Sequence, residues 1–322
     1  MAEQFPNLKL RPTSYNFPRP HDLSAFQSFD RSTLPWLDRP DYEAVLRERQ
    51  RKGEISGDTE YLKSWAQNGF LHFPKLIEPE KIDRFWHDVD RAWAQRPNVP
   101  LFVGREGSEP AILPQFREKP KHYRFFNFHL FSTHCLGLAL DSRIVKILSA
   151  LFGETPVLMQ TLTYEFGSEQ ALHVDYLPVR AAIPSHLIVS WIACEDVDEA
   201  SGPLVYYPGS HRIDPAGMFE KRFNEFFPAD RMVPFPAYLM ARCFEMKLER
   251  RELFAKKGDV FFWHAALIHG GAERKQPNAT RKSLVTHYST IRGYPRCNFY
   301  EDTEMEFLGD AGYFAVEETL KK

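Results

Sequence analysis

Two of the twelve histidines stand in segments that could do chemistry: His173 in Ala-Leu-His-Val-Asp-Tyr and His269 in Ala-Leu-Ile-His-Gly-Gly. On an extended strand His173 and Asp175 lie two positions apart and project from one face. An imidazole and a carboxylate can there share one metal ion. A third ligand must come from elsewhere in the chain. Two histidines and a carboxylate on one face of an octahedron leave three positions open, which suits Fe(II) oxygenases that activate O2 beside a bound co-substrate. A lone His-x-Asp pair also serves as a surface or capping pair, so its neighbours matter. Twelve residues past His269, Arg281 opens a β-rich run on which Ser283 shares its face. A guanidinium fork beside a hydroxyl is suited to grip the far end of a dicarboxylate, although an arginine there also serves as a solvated strand residue.

Other chemistries lack their signatures. The chain has no GxGxxG, no phosphate loop ending in Gly-Lys-Ser/Thr, no HExxH and no GxSxG. Its 322 residues are 43% hydrophobic and 14% aromatic, enough for a sizeable core and incompatible with a disordered chain. Lysine plus arginine (41) nearly balance aspartate plus glutamate (43), without the basic excess that favours nucleic acid as a partner. Cys135, Cys194, Cys243 and Cys297 form no CxxC pair, so neither a disulfide framework nor a zinc knuckle is indicated and a reducing compartment fits. The amino terminus shows no signal pattern, and no run of about 18 apolar residues could span a bilayer. The expectation is a cytoplasmic protein with no membrane partner, in which the sequon Asn278-Ala279-Thr280 is a chance match.

The elements that must position these residues follow from periodicity. Residues 1–40 carry Pro6, Pro12, Pro18, Pro20, Pro35 and Pro40 and read as an extended arm. Helices are expected over 41–52 and 58–68, the second ended by Gly69, with a short strand at 70–73. Pro79 starts a helix whose Ile82, Phe85, Trp86, Val89 and Trp93 recur at helical spacing and face a core. A Pro- and Gly-rich loop is expected over 97–120, and Asp141 caps a helix to about 152. Short β-rich runs follow at 157–166, 188–194, 204–207, 260–263 and 284–288, as in a sheet sandwich or small barrel. Helices before strands make an α+β chain, read as one domain over 41–322: a helical part to about 152, a β core at about 157–290 and a tail from 291.

The motifs form an ordered series. It runs from Trp65-Ala66-Gln67-Asn68-Gly69-Phe70 through Leu172-His173-Val174-Asp175 and Val189-Ser190-Trp191-Ile192-Ala193 to Ser201-Gly202-Pro203-Leu204 and Pro208-Gly209-Ser210-His211-Arg212. Lys257-Gly258-Asp259-Val260-Phe261-Phe262, Leu267-Ile268-His269-Gly270 and Arg281-Lys282-Ser283 complete it. Over about residues 60–290 the chain resembles the phytanoyl-CoA dioxygenase family of Fe(II)- and 2-oxoglutarate-dependent oxygenases. The resemblance implies a double-stranded β-helix, or jelly roll, flanked by the N-terminal helices and the extended arm. It implies iron held by His173, Asp175 and His269, Arg281 pairing with the 5-carboxylate of 2-oxoglutarate, and Trp191 lining the co-substrate pocket. Arg124 matches loosely a cationic residue over co-substrate or substrate, and Tyr176 and His122 are further candidates to face substrate.

The implied reaction consumes O2 and 2-oxoglutarate, releases succinate and CO2, and hydroxylates an aliphatic C–H of a small molecule or a carrier-linked acyl group. Desaturation, cyclisation or demethylation on the same centre, or a jelly roll that binds a ligand without turnover, are the alternatives. The chain departs from the family pattern in two places. Leu172 and Val174 flank His173 where the family commonly has Trp and Gln, and Gly271 stands where the family often has Ser, a hydroxyl that Ser283 would replace. Asp175 favours hydroxylation, since members that transfer halogen have a small residue there. His264 and His287 read as residues behind the site or in the core, and His211 as part of a structural turn. The arm, 97–120 and 215–250 are candidate lids.

Overall fold

The structure, a computed structural model, describes residues 34–97, 101–105, 108–120, 122–175, 179, 181, 183, 186–213, 235–294 and 305–314. Most of the proline-rich arm, Tyr176, Cys297 and all of 215–234 lie outside them. Helices α1 (Tyr42–Arg51), α2 (Glu60–Asn68), α3 (Pro79–Gln95), α4 (Thr133–Ala139) and α5 (Ser142–Phe152) form the front of the chain, and α6 (Phe235–Glu245) comes late. Local chemistry sets their ends. Gly69 (φ 74°) and Gly153 (φ 70°) stop α2 and α5 in the left-handed conformation that favours glycine. Pro79 occupies the first turn of α3, where no backbone donor is needed, and Asp141 caps α5 by accepting from Arg143 N.

The strands are β1 (Phe70–Phe73), β2 (Phe102–Arg105), β3 (Ser108–Ile112), β4 (Tyr123–Phe126), β5 (Pro156–Tyr164), β6 (Ile188–Ala193), β7 (Leu204–Tyr206), β8 (Arg251–Leu253), β9 (Val260–His264), β10 (His269–Gly271), β11 (Ser283–Thr290), β12 (Met305–Leu308) and β13 (Ala311–Phe314). A large sheet runs β1-β9-β6-β11-β5-β4-β2-β3 in antiparallel order. To it β13 adds a parallel contact at Gly312 beside Val157, with β12 paired beyond. A second sheet runs β10-β7-β8, and an isolated antiparallel bridge joins His173 to His269 at its β10 edge.

Strand alternation divides the large sheet between two cores. Leu158, Ile188, Ile192, Val260, Phe262, Leu284 and Tyr288 point to the helices, joining Ile82, Phe85, Val89, Ile144 and Leu148. Val189, Trp191, Phe261, Trp263 and Val285 point the other way, onto Leu204, Tyr206 and Leu253 of the small sheet. Between the two sheets lies the space for a site.

Three expectations need correction. Residues 97–120 are not one loop, because Phe102 and Val103 pair with Phe126 and Phe125 of β4 and with β3. Pro110 is tolerated in β3 because that strand is the outer edge of the sheet. The front portion expected as helical apart from the strand at 70–73 thus also contributes β2 to β4. The segment expected as a tail carries the hairpin β12–β13, whose Gly312 lies against β5 with a would-be Cβ only 2.6 Å from Met305 Sδ.

Candidate active site

His173, Asp175 and His269 come together between the sheets, each offering one ligand atom within 4.8 Å of the other two. Backbone pairing places them. His173 N donates to His269 O (2.9 Å), His269 N donates to His173 O (3.0 Å), and Asp175 N donates to Ala265 O (2.9 Å). Each imidazole is then oriented by a carbonyl two residues back: Nδ1–H of His173 donates to Ala171 O (2.8 Å) and Nδ1–H of His269 to Leu267 O (2.9 Å). A carbonyl only accepts, so both rings carry hydrogen on Nδ1 and turn a bare Nε2 to the site. His173 Nε2 lies 3.7 Å from Asp175 Oδ1, and His269 Nε2 lies 3.7 Å from Asp175 Oδ2.

Electrostatics keep His173 and Asp175 in their metal-binding forms. Burial, reinforced by the neighbouring His269, pushes the His173 pKa down to about 4, so its ring is neutral at pH 7. Burial alone would raise the Asp175 carboxyl, but His269, His287 and His173 around it and the Trp263 N–H reverse that and hold it below the usual carboxylate value. A neutral His173 imidazole and an ionised Asp175 carboxylate are the forms in which these two groups ligate a divalent ion.

Arg281 is 4% exposed. It precedes β11, its backbone N donates to Glu165 O (2.8 Å), and its guanidinium donates from Nη1 to Gly202 O (2.7 Å). Among the described residues its Nε has no hydrogen-bond partner, nor has the Oγ of buried Ser283. Burial lowers the Arg281 pKa to about 10, which still leaves a cation at pH 7. A buried cation and a buried hydroxyl with unmet hydrogen bonds fit a carboxylate ligand. Ser283 sits opposite Tyr164 and Ala193, on the face of β11 that carries Val285 and His287.

The other expected residues fare differently. Trp191 is buried between the sheets opposite Val285 and Phe261, on the same face as Ser283. Arg124 is half-buried, donating from Nη1 to Tyr164 Oη (3.5 Å) and lying 5.0 Å over the Phe126 ring. The His122 ring packs on Phe166, and its Nε2 accepts from Arg274 (3.3 Å). Tyr176 is outside the described residues. His264 is tied to Asp38 (3.0 Å) and His211 to Ala66 O (3.3 Å), both joining the front of the chain to the later segments of the fold.

Three residues, Trp263, Arg274 and Glu169, escaped the sequence reading. Trp263 donates Nε1–H to Asp175 Oδ2 (2.7 Å) and packs its ring 4.9 Å from His269. His287, expected behind the site or in the core, has its Nε2 3.9 Å from Asp175 Oδ2. Arg274 and Glu169 form a half-buried pair (2.6 Å) that fastens the loop before His173 to the loop after His269. The alternation of β9 and β11 would have placed Trp263 and His287 on the inner face, whereas no spacing links 169 to 274.

Comparison with known proteins agrees with this geometry. The family model for phytanoyl-CoA dioxygenase (PhyH) matches residues 65–283. Peroxisomal phytanoyl-CoA dioxygenase of Rattus norvegicus is 25% identical over 254 residues, covering 72% of this chain and 68% of the relative. Among solved structures, the non-heme alpha ketoglutarate dependent epimerase SnoN from nogalamycin biosynthesis superposes with a TM-score of 0.55 at 18% identity, covering 79% of this chain and 96% of SnoN. EctD from S. alaskensis, solved with 2-oxoglutarate and 5-hydroxyectoine, gives a TM-score of 0.54 at 16% identity, covering 76% of this chain and 82% of EctD. These two share the fold.

The sheets and the site between them define an oxidoreductase of the non-heme oxygenase class. The chain belongs to the phytanoyl-CoA dioxygenase (PhyH) family. Iron and 2-oxoglutarate are accordingly its cofactor and co-substrate.

Proposed function

We propose that the chain is a dioxygenase that hydroxylates an aliphatic C–H of a small molecule or carrier-linked acyl substrate, with release of succinate and CO2. In this reading His173 Nε2, His269 Nε2 and one Asp175 oxygen hold Fe(II), and Arg281 with Ser283 receives the far carboxylate of 2-oxoglutarate. The order β5-β11-β6-β9, facing the His173 bridge-β10-β7-β8, supports a double-stranded β-helix. The observation that carries the reading is the pairing of a preassembled His-Asp-His donor set with a buried guanidinium whose Nε is unmet.

The iron, when bound, supplies oxidative decarboxylation of 2-oxoglutarate coupled to oxidation of the substrate. The chain's own residues orient and enclose. The Ala171 and Leu267 carbonyls fix both histidine tautomers, and Trp263 anchors the carboxylate. Trp191, Phe261 and Val285 wall the interior with apolar surface, which strengthens the Arg281–carboxylate pair by excluding water. Gln160, Leu162 and Tyr164 are half-buried on the inner face of β5, where a substrate would lie against the site.

Anaerobic titration of the Fe(II)-loaded protein with 2-oxoglutarate tests the reading. A visible charge-transfer band is expected, and it should be absent from Asp175→Ala while that variant keeps its circular dichroism spectrum. Iron bound without any band would remove the co-substrate site. With the band established, succinate release and 18O incorporation from O2 into product test hydroxylation directly.

A further inference from the structure

Beside the His173, Asp175 and His269 cluster a third imidazole, His287, brings its Nε2 to 3.9 Å from Asp175 Oδ2. As a further metal donor it would close one of the three positions an oxygenase needs open. The hydrogen bonds around His287 address this. Gln160 lies directly across from His287 in the β5–β11 ladder, next to the register shift at His287/Tyr288. Its amide nitrogen sits 3.3 Å from His287 Nδ1. An amide N–H only donates, so Nδ1 is the accepting, bare nitrogen and the ring hydrogen is on Nε2, the reverse of the tautomer that backbone carbonyls impose on His173 and His269.

We propose that Gln160 is a positioning residue that keeps His287 out of the metal's coordination sphere by fixing its Nε2–H tautomer. That N–H faces Asp175 Oδ2 at 3.9 Å, beyond direct hydrogen-bond reach but with its positive end toward the carboxylate. Trp263 Nε1–H binds the same oxygen at 2.7 Å. Two N–H groups on the Oδ2 side would leave Oδ1, beside His173 Nε2, as the freer carboxylate oxygen for a bound ion. The register that puts Gln160 there runs unbroken from Ser283 opposite Tyr164 to His287 opposite Gln160, and the β-bulge closes it: Leu158 is opposite Tyr288, so Met159 is the inserted residue.

The inference rests on the metal reading above, and its test separates the two. In the metal-free protein, 15N NMR of labelled histidines, with His287 assigned by its loss in His287→Asn, should show hydrogen on Nε2. In Gln160→Glu the new carboxylate accepts from Nδ1–H and bares Nε2. Co(II), used as a spectroscopic probe, should then bind at least tenfold more tightly with an altered visible spectrum, and 2-oxoglutarate should bind at least tenfold more weakly to the Co(II) protein. Gln160→Met, close in volume, removes the donor without imposing the other tautomer and should give a mixture of the two by NMR. A wild-type His287 with hydrogen on Nδ1 would overturn the inference. So would a Gln160→Glu protein whose tautomer, Co(II) affinity and spectrum match the wild type. A wild-type chain that binds no Co(II) would instead sink the metal reading, whatever the tautomer.

Discussion

Replacing Arg281 by methionine should move stability and co-substrate binding in opposite directions. In the ligand-free fold the guanidinium is buried, with one bond to Gly202 O and an unmet Nε. Burial lowers its pKa from 12.5 to about 10, which corresponds to about 3 kcal/mol spent on keeping the charge inside. Methionine removes that cost and forfeits one hydrogen bond, about 1 kcal/mol. The ligand-free variant should therefore be about 1–2 kcal/mol more stable, visible as a higher urea midpoint at unchanged slope. The 2-oxoglutarate complex loses a buried, charge-assisted pair, about 2–5 kcal/mol, or roughly 30- to 5,000-fold in Kd. Anaerobic titration of the charge-transfer band reads that loss. A variant that unfolds at lower urea and binds 2-oxoglutarate within twofold of wild type would show Arg281 to be a structural cation for Gly202, and the clamp argument would fail.

Further outcomes follow from features away from the clamp. Gly271→Ser restores the residue the family often has, yet a Cβ there would stand 2.8 Å from Glu169 N and 3.1 Å from Glu169 Cα. Thermal unfolding should show a loss of about 1–3 kcal/mol, and an unchanged midpoint would mean that residues 168–171 yield freely. Trp263→Phe keeps the ring and deletes the N–H to Asp175; Co(II) affinity should fall roughly 10- to 100-fold with the fold retained, and full affinity would show the carboxylate to be held by other means. Asp141 concerns acid stability. Burial pushes its carboxyl up, but hydrogen bonds from Arg143 and Lys81 outweigh that and hold it at about 2. A depressed native pKa stabilises fully above the unfolded value and is lost as pH falls from about 4 through about 2, so urea unfolding across that range should lose about 1–2 kcal/mol. Asp141→Asn should flatten that limb, and an unaltered limb would assign it to other carboxylates.

The sequence was most informative where chemistry is local. Proline at 79, the aspartate at 141 and glycines at 69 and 153 mark helix ends because each acts on backbone within a turn or two. The inner and outer faces of β6, β9 and β11 follow from alternation, and with them the placement of Trp191 and Ser283. What escaped depends on contacts between distant segments. Nothing in Phe102 or Val103 announces β4 as a partner, and a Pro- and Gly-rich stretch reads as loop until the sheet edge is known. The histidine tautomers depend on carbonyl positions, and the Glu169–Arg274 pair spans two loops with no common period. Gly271 looked like a missing hydroxyl, whereas its role is to let the chain at 168–171 pass close by.

The bridge between His173 and His269 also bears on how an ion would leave. Their reciprocal backbone bonds (2.9 and 3.0 Å) hold the rings 4.3 Å apart, so the two imidazoles travel as one body with the edge of the small sheet. One imidazole could let go alone only by breaking its Nδ1–H bond to Ala171 O or Leu267 O and turning about its side-chain torsions. The alternative is unzipping of that edge, which carries both nitrogens away together, and the faster of the two routes would set the residence time. Where unzipping is the faster, retention of an ion becomes a kinetic property of a strand pairing, measurable as the opening rate of two amide hydrogens and separable from the strength of any bond the ion itself makes.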